Sequence, residues 1–238
     1  MRHFQIQSHL RRTLCASLAV AALSTLALPA AHAQSYPSKP IKFVVPFSAG
    51  SATDSVGRIV AQAMSDAWGQ PITIENKAGA NGILGAEAVK AAPADGYTFL
   101  VTTSTTQAAN VHLYRKLPYD PVKDFTPIGK IGEVGFILMV NNDFPAKDMK
   151  EFVSYAKAHP GKLAYGHGSS GSLVSAAMLT ELAGLQTVGV PYKSIPPALT
   201  DLLGGQIQFA FADTGNAVSQ MNGGRMRGLG VTTKKRAG

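Results

Sequence analysis

The chain has 238 residues, 45% hydrophobic and 15% charged, with 24 glycines and 14 prolines, which excludes disorder, collagen and coiled coil and suffices for one or two lobes with their own cores. Its formal charge of +8, from 22 Lys and Arg against 14 Asp and Glu, is crowded at the ends, with Arg2, Arg11 and Arg12 at the start and Arg225, Arg227, Lys234, Lys235 and Arg236 in the last 14 residues. Residues 34–224 carry 14 basic and 14 acidic side chains, so the body lacks the basic surface that nucleic-acid binding requires.

The first 33 residues are laid out as a secretory signal: a basic start ending at Arg11-Arg12, an apolar stretch from Leu14 to Leu28, then Pro29 and Ala31-His32-Ala33. Cleavage is expected after Ala33, and the apolar stretch is too short for a stable membrane span. Cys15, the only cysteine, leaves with the signal, so the mature chain is expected to form no disulfide and no thiolate metal site. Arg11-Arg12 leaves twin-arginine export open beside ordinary secretion.

From Gln34 onward strand-like and helix-like stretches alternate. Ile41 to Pro46 is a short β-branched run. After the turn-rich Phe47 to Thr53, the apolar positions Val56, Ile59, Val60, Ala63, Met64 and Ala67 follow a helical period. Pro71 to Glu75 reads as a strand, Gly79 to Gly82 as a loop, Ile83 to Ala92 as a helix, Pro93 to Gly96 as a turn and Tyr97 to Thr102 as a strand. Successive βα units predict a parallel sheet wound right-handed. Residues 111–127 break the rhythm with three prolines, and Ile128 to Val140 is expected to be one long strand leaving the first lobe. A second alternation follows: helix Asp148 to His159, strand Leu163 to Tyr165, helix Ser172 to Ala183 and strand Val188 to Pro191. It continues with helix Pro197 to Leu203, strand Ile207 to Phe211, helix Thr214 to Met221 and strand Met226 to Thr232. Two such α/β lobes place a cleft between them, where ligands of these sheets usually bind.

Three loops that precede helices are rich in Gly, Ser and Thr: Ser48 to Thr53, Thr102 to Thr106 and Gly166 to Ser172. Small hydroxyls and backbone N–H groups at helix N-termini favour an anion without any arginine, although helix capping uses the same residues. Catalytic constellations are thin. Gly166-His167-Gly168-Ser169-Ser170-Gly171 only superficially resembles a nucleophile elbow, and no serine there has glycine both two before and two after it. His112, His159 and His167 lack partners at metal-ligand spacing, and His159, before Pro160-Gly161, reads as a helix-end residue. Gly79 to Gly85 matches neither the dinucleotide nor the P-loop glycine pattern. A secreted serine hydrolase acting through Ser170 stays open as a second reading, as does a non-binding degenerate product.

Six ordered blocks carry a family resemblance. They are Val45-Pro46-Phe47 through Gly50 with Thr53-Asp54, Glu75 to Ala80, Ala92 to Thr98, Leu117 to Phe125, Val190 to Lys193, and Ala198 to Gln206. Together they resemble the tripartite tricarboxylate transporter substrate-binding proteins, the Bug or TctC-like family. The resemblance implies an α/β, two-lobed periplasmic-binding-protein type II fold, each lobe a mostly parallel sheet flanked by helices. On that reading residues 1–33 are the signal, 34–130 lobe I, 131–228 lobe II and 229–238 a returning hinge strand and tail. It implies a periplasmic monomer that captures a small organic carboxylate and passes it to integral membrane transporter subunits, with no cofactor, metal or catalytic residue.

Carried over by position, the resemblance assigns ligand contact to Phe47, Ser48, Ala49, Gly50, Ser51, Thr53 and Asp54. It adds Ser104, Thr106 and Gln107, with Asn110 beside them, and then His167, Ser169, Ser170 and Ser172. Asp54 reads equally well as a first-turn helix carboxylate, and Tyr192 and Lys193 as cleft residues or strand-end packing. The chain departs from the family pattern at Ser51, where a second glycine is usual, and at Ser169 to Ser175, where a glycine and a histidine are replaced. It also departs at Phe211-Ala212-Asp213, where the aspartate falls one place late. Asp213 is expected either to select a ligand group bearing a proton or to cap a helix. The family continues, after the strand matched by Arg227 to Thr232, with a strand and helices that complete the first lobe, so the chain ending at Gly238 is expected to be a C-terminally shortened member.

Overall fold

The computed structural model describes residues 35–235, and the fold is carried by the unit that begins at Lys39. The expected signal segment, with Arg11-Arg12, Cys15 and the cleavage point after Ala33, lies outside the described residues, as does Arg236.

The first sheet has three parallel strands in the order β2-β1-β3, from β1 (Ile41–Val45), β2 (Ile72–Asn76) and β3 (Thr98–Leu100). Between them run α1 (Ala52–Trp68) and α2 (Ile83–Lys90), the latter entered by a 3₁₀ turn at Ala80–Gly82. Alternation along β1 sends Ile41, Phe43 and Val45 against Ala61, Val60 and Met64 of α1. A second cluster joins Ile83 and Ala86 of α2 to Tyr119, Leu117 and Phe125. After β3 the chain makes a π-helical turn, Thr105–Ala109, and a short helix α3 (Asn110–Leu113), where the sequence predicts only a loop.

The second sheet has five strands in the order β6-β5-β7-β4-β8. They are β4 (Phe136–Asn141), β5 (Leu163–His167), β6 (Thr187–Pro191), β7 (Phe209–Asp213) and β8 (Met226–Val231). Strand β5 is parallel to β6 and β7, while β4 is antiparallel to both β7 and β8. The connecting helices are α4 (Met149–Ala158), α5 (Ser170–Leu182), α6 (Ile195–Leu203) and α7 (Thr214–Asn222). Both faces of this sheet are covered, so its central strands are apolar on both sides. Ile137 and Met139 of β4, with Ala210 and Ala212 of β7, pack on α6 and α7. Leu138, Val140, Phe209 and Phe211 pack on Phe152 and Ala156 of α4 and Ala176 of α5.

One expectation is corrected. The stretch from Ile128 to Val140 is not one strand: only Phe136–Asn141 pairs, while Ile128 is 79% exposed and Ile131 and Val134 are exposed as well. Apolar runs mimic a strand in sequence, but Gly129, Gly132 and Gly135 interrupt this one. No helix among the described residues is long and apolar enough to cross a membrane.

Candidate functional site

The loop after β1 is built around a buried carboxylate. Phe47 is buried, Ser48 half-buried, and Ala49 and Gly50 exposed, with Gly50 in the left-handed region at φ 79° that favours glycine. Ser51 caps α1, its hydroxyl accepting the N–H of Asp54 at 3.2 Å. Asp54, 3% exposed, reaches back to accept the Gly50 N–H at 3.0 Å. It also accepts Nε of Arg58 at 3.0 Å and Nδ2 of Asn76 at 2.9 Å, and Asn76 Nδ2 donates to the Phe47 carbonyl at 3.0 Å. Burial alone would raise the Asp54 carboxyl, but hydrogen bonds from Arg58, Gly50 and Asn76 outweigh it, leaving it below its ordinary value. The structure thus gives Asp54 a loop-holding geometry, with Thr53 half-buried beside it.

The loop after β3 is knit by threonines. Thr102 Oγ1 and Thr106 Oγ1 lie 2.5 Å apart, and the Thr105 N–H donates to Thr103 Oγ1 at 3.2 Å. Thr106 and Asn110 are fully buried, whereas Ser104 is exposed. The Tyr119 hydroxyl donates to the Thr106 carbonyl at 2.8 Å, and Asn110 Nδ2 donates to Tyr119 at 3.3 Å and to the Asn81 carbonyl at 3.1 Å. Gln107 is half-buried, with Nε2 at 3.4 Å from the Pro121 carbonyl and Oε1 buried without a partner.

In the five-stranded lobe the loop after β5 repeats the β1 arrangement. Ser169 caps α5, and Ser172, fully buried at the third helical position, closes a capping box. The Ser172 hydroxyl accepts the N–H groups of Gly168 at 3.0 Å and Ser169 at 3.1 Å, as Asp54 accepts that of Gly50. The sequence signal is a glycine-serine pair followed three residues after the serine by a short polar side chain: Gly50-Ser51 with Asp54, Gly168-Ser169 with Ser172. Gly168 is required by close approach, because a Cβ there would lie 2.1 Å from the carbonyl carbon of Ser194. His167 is half-buried, its ring centroid 5.9 Å from that of Tyr165, and burial lowers its imidazole below 6.5. Asp213, at the end of β7, caps α7, accepting the Asn216 N–H at 3.0 Å, and pairs in register with Phe136, whose ring packs against Gly171. The Tyr192 hydroxyl donates to Asp201 Oδ2 at 2.7 Å, fixing Tyr192 to α6, and Lys193 is exposed.

Sequence reasoning missed Thr105, the residue that joins the lobes. Its Oγ1 accepts the Ser170 hydroxyl at 2.9 Å and the Ser170 N–H at 3.3 Å. The threonine run named that loop but gave no sign of which threonine crosses between sheets. The same contact bears on the hydrolase reading, since Ser170 donates its proton to Thr105 and not to a histidine. Among the described residues no group of three or more His, Cys, Asp or Glu is placed to hold a metal. A separate hollow of about 380 Å³, lined by Asn141, Asp143, Phe144, Leu203 and Gln208, opens where β4 ends, at the edge of the sheet remote from these loops.

What the arrangement offers is a set of hydroxyls and helix-start N–H groups at the carboxyl ends of β1, β3 and β5, with the one charge among them, Asp54, paired to Arg58. The chain matches the family described as the tripartite tricarboxylate transporter family receptor, TctC, over residues 56–238. It is 33% identical to Protein BugT of Bordetella pertussis over 210 residues, which cover 86% of this chain and 64% of BugT. It thus spans a little under two thirds of the length of that relative. A Rhodopseudomonas palustris protein solved with adipate is similar at a TM-score of 0.82 and 34% identity, over 84% of this chain and 68% of that one. MatC from Rhodopseudomonas palustris, solved with bound malate, is similar at a TM-score of 0.79 and 36% identity, over 84% and 69%. The chain belongs to the tripartite tricarboxylate transporter receptor family, TctC.

Proposed function

We propose that the protein is an extracytoplasmic receptor that captures a small organic carboxylate between its two lobes and hands it to the membrane subunits of a tripartite tricarboxylate transporter. The observation that carries the reading is the placement of three hydroxyl-rich loops at strand carboxyl ends, two of them capped by serines and the third, after β3, wound into a π-helical turn without a cap. Such loops bind a carboxylate by oriented N–H and O–H groups and leave it chemically unchanged. Family membership supports the receptor role, and the neighbours solved with adipate and malate support the ligand class.

On this reading the exposed or half-buried Ser48, Ala49, Gly50, Thr53, Ser104, Gln107, His167 and Ser169 face the ligand. The buried Phe47, Ser51, Asp54, Thr106, Ser170, Ser172 and Asp213 hold the loops in shape. Lobe I then runs through residues 34–130 and lobe II through 131–228, after a cleaved signal at 1–33.

The test is thermal unfolding of the full chain with a panel of carboxylates that includes malate and adipate. An acid at about a hundred times its dissociation constant stabilises by about 2.7 kcal/mol, which raises Tm by about 5–11 °C. A cooperative melt that no carboxylate moves overturns the reading.

A further inference from the structure

We propose that Thr105 is a positioning residue for ligand capture: through Ser170 it latches the two lobes together, and the strength of that latch sets the fraction of closed protein. The proposal rests on the reading above that a carboxylate is captured by lobe closure. Thr105 and Ser170 are 65 residues apart in sequence and follow strands of different sheets, yet both are buried, at 2% and 4% exposure. Thr105 opens the π-helical turn that follows β3, and Ser170 is the first residue of α5. The Ser170 N–H is one of the four helix-start donors without an intrahelical acceptor, and Thr105 Oγ1 supplies one at 3.3 Å while also taking the Ser170 hydroxyl proton at 2.9 Å. With water excluded, neither bond meets solvent competition. π-Helical turns are frequent at functional sites, and here the turn delivers Thr105 to the other lobe.

Among the described residues, three buried side-chain polar atoms have no partner: Oε1 of Gln107, two residues beyond Thr105 on the same turn, Oγ of Ser194, whose backbone packs on Gly168 in the loop before α5, and Oε1 of Gln220. Ser194 stands at the start of α6 but cannot cap it, because Pro196 and Pro197 occupy the positions whose N–H groups a cap would accept. Two hydrogen bonds of ordinary net worth hold the closed arrangement without locking it. The apparent affinity of a ligand that needs the closed state scales with the fraction closed, so loss of the latch weakens binding by the factor it weakens closure.

Hydrogen exchange of the ligand-free full chain reads the latch directly. In Thr105→Val the Ser170 amide is expected to exchange about five- to tenfold faster than in wild type, while β4 and α6 amides are unchanged. Thr105→Ser restores the wild-type rate, and adding Ser170→Ala to Thr105→Val has no further effect, because both act through one contact. Calorimetric titration with malate and with adipate is expected to show Thr105→Val weakening whichever acid binds by the same factor. An unchanged Ser170 amide, or a tighter acid in Thr105→Val, overturns the latch, the latter by making Thr105 a competitor of the ligand. If Thr105→Val fails to fold, Ser170→Ala reads the contact from the other side, with faster local exchange expected and none overturning it. If neither acid binds wild type, the ligand reading fails while the exchange result still decides the latch.

Discussion

Replacing Asp54 by alanine separates a scaffold carboxylate from a ligand contact. The substitution removes the acceptor for Gly50 N–H, Arg58 and Asn76 from a site that is 3% exposed. Arg58 is half-exposed and rehydrates, and Asn76 keeps its bond to the Phe47 carbonyl, so the loss falls short of a fully buried ion pair. About 2–3 kcal/mol of destabilisation is expected. For a fold of this size that is a fall in Tm of about 4–12 °C. The pH dependence gives a second signature. The folded carboxyl lies below its ordinary value of 3.8, so its contribution is complete above about pH 5 and is lost as pH falls through 3.8 toward the folded value. Wild type should therefore lose stability on acidification more steeply than Asp54→Ala, with the two curves converging at low pH. Melts between neutral pH and pH 3 by circular dichroism check both points. A variant that melts within about 2 °C of wild type yet no longer responds to carboxylates would refute the scaffold role and place Asp54 against the ligand.

Three further outcomes follow from the second lobe. Gly168→Ala drives a Cβ to 2.1 Å from the Ser194 carbonyl carbon, backbone that cannot rotate away, and should cost about 3 kcal/mol in a denaturant titration, whereas a neutral result would mean the β5 and β6 loops part easily. Tyr192→Phe removes the 2.7 Å bond to Asp201 and should cost about 1–2 kcal/mol. Burial, and then Asp201, push the Tyr192 phenol up to about 12, so the variant should also lose the latest-ionising step of the alkaline absorbance titration, and an unaltered titration would contradict the pairing. His167, its imidazole lowered by burial, should be more than half neutral at pH 6.5 by NMR. Because the unfolded state takes up this proton first, the His167 contribution is present above 6.5 and lost as pH falls below it, and a ring titrating at or above 6.5 would contradict its burial.

Much of the fold is legible in the sequence because hydrophobic period and turn residues agree along most of it. The run Ile41 to Val45, the helix from Ala52 and the alternation from Asp148 to Val231 all form close to where their patterns put them. The failures share a cause, which is that local sequence does not say what will pair with what. Ile128, Ile131 and Val134 extend the apolar run of β4 backwards but are broken up by glycines, Lys130 and Glu133 and find no ladder, and the threonine run after β3 winds into a π-helical turn that no hydrophobic period announces. The site divides in the same way. The Ser- and Gly-rich loops stand out in composition, but whether a hydroxyl faces outward or inward depends on partners distant in sequence. Asp54 is turned in by Asn76, 22 residues on, and Ser170 by Thr105, 65 residues back.

The two sheets explain why similar loops recur. The strand order β2-β1-β3 is wound again as β6-β5-β7, so β1 and β5 occupy equivalent central places, each feeding a helix through a Gly-Ser pair. In both, the serine caps the helix and the side chain at its third position returns to hold the N–H of the preceding glycine. Only the anchor differs. The first lobe uses a carboxylate, which needs Arg58 and Asn76 to stay ionised in its buried place, and the second uses the neutral hydroxyl of Ser172, which needs neither. The negative charge beside Gly50 is offset in large part by Arg58, whereas the Ser172 loop carries no charge to offset. On the proposed carboxylate reading the α5 end is then the less opposed of the two, and its helix-start donors next to the Thr105 and Ser170 contact are those a ligand would meet without a neighbouring carboxylate.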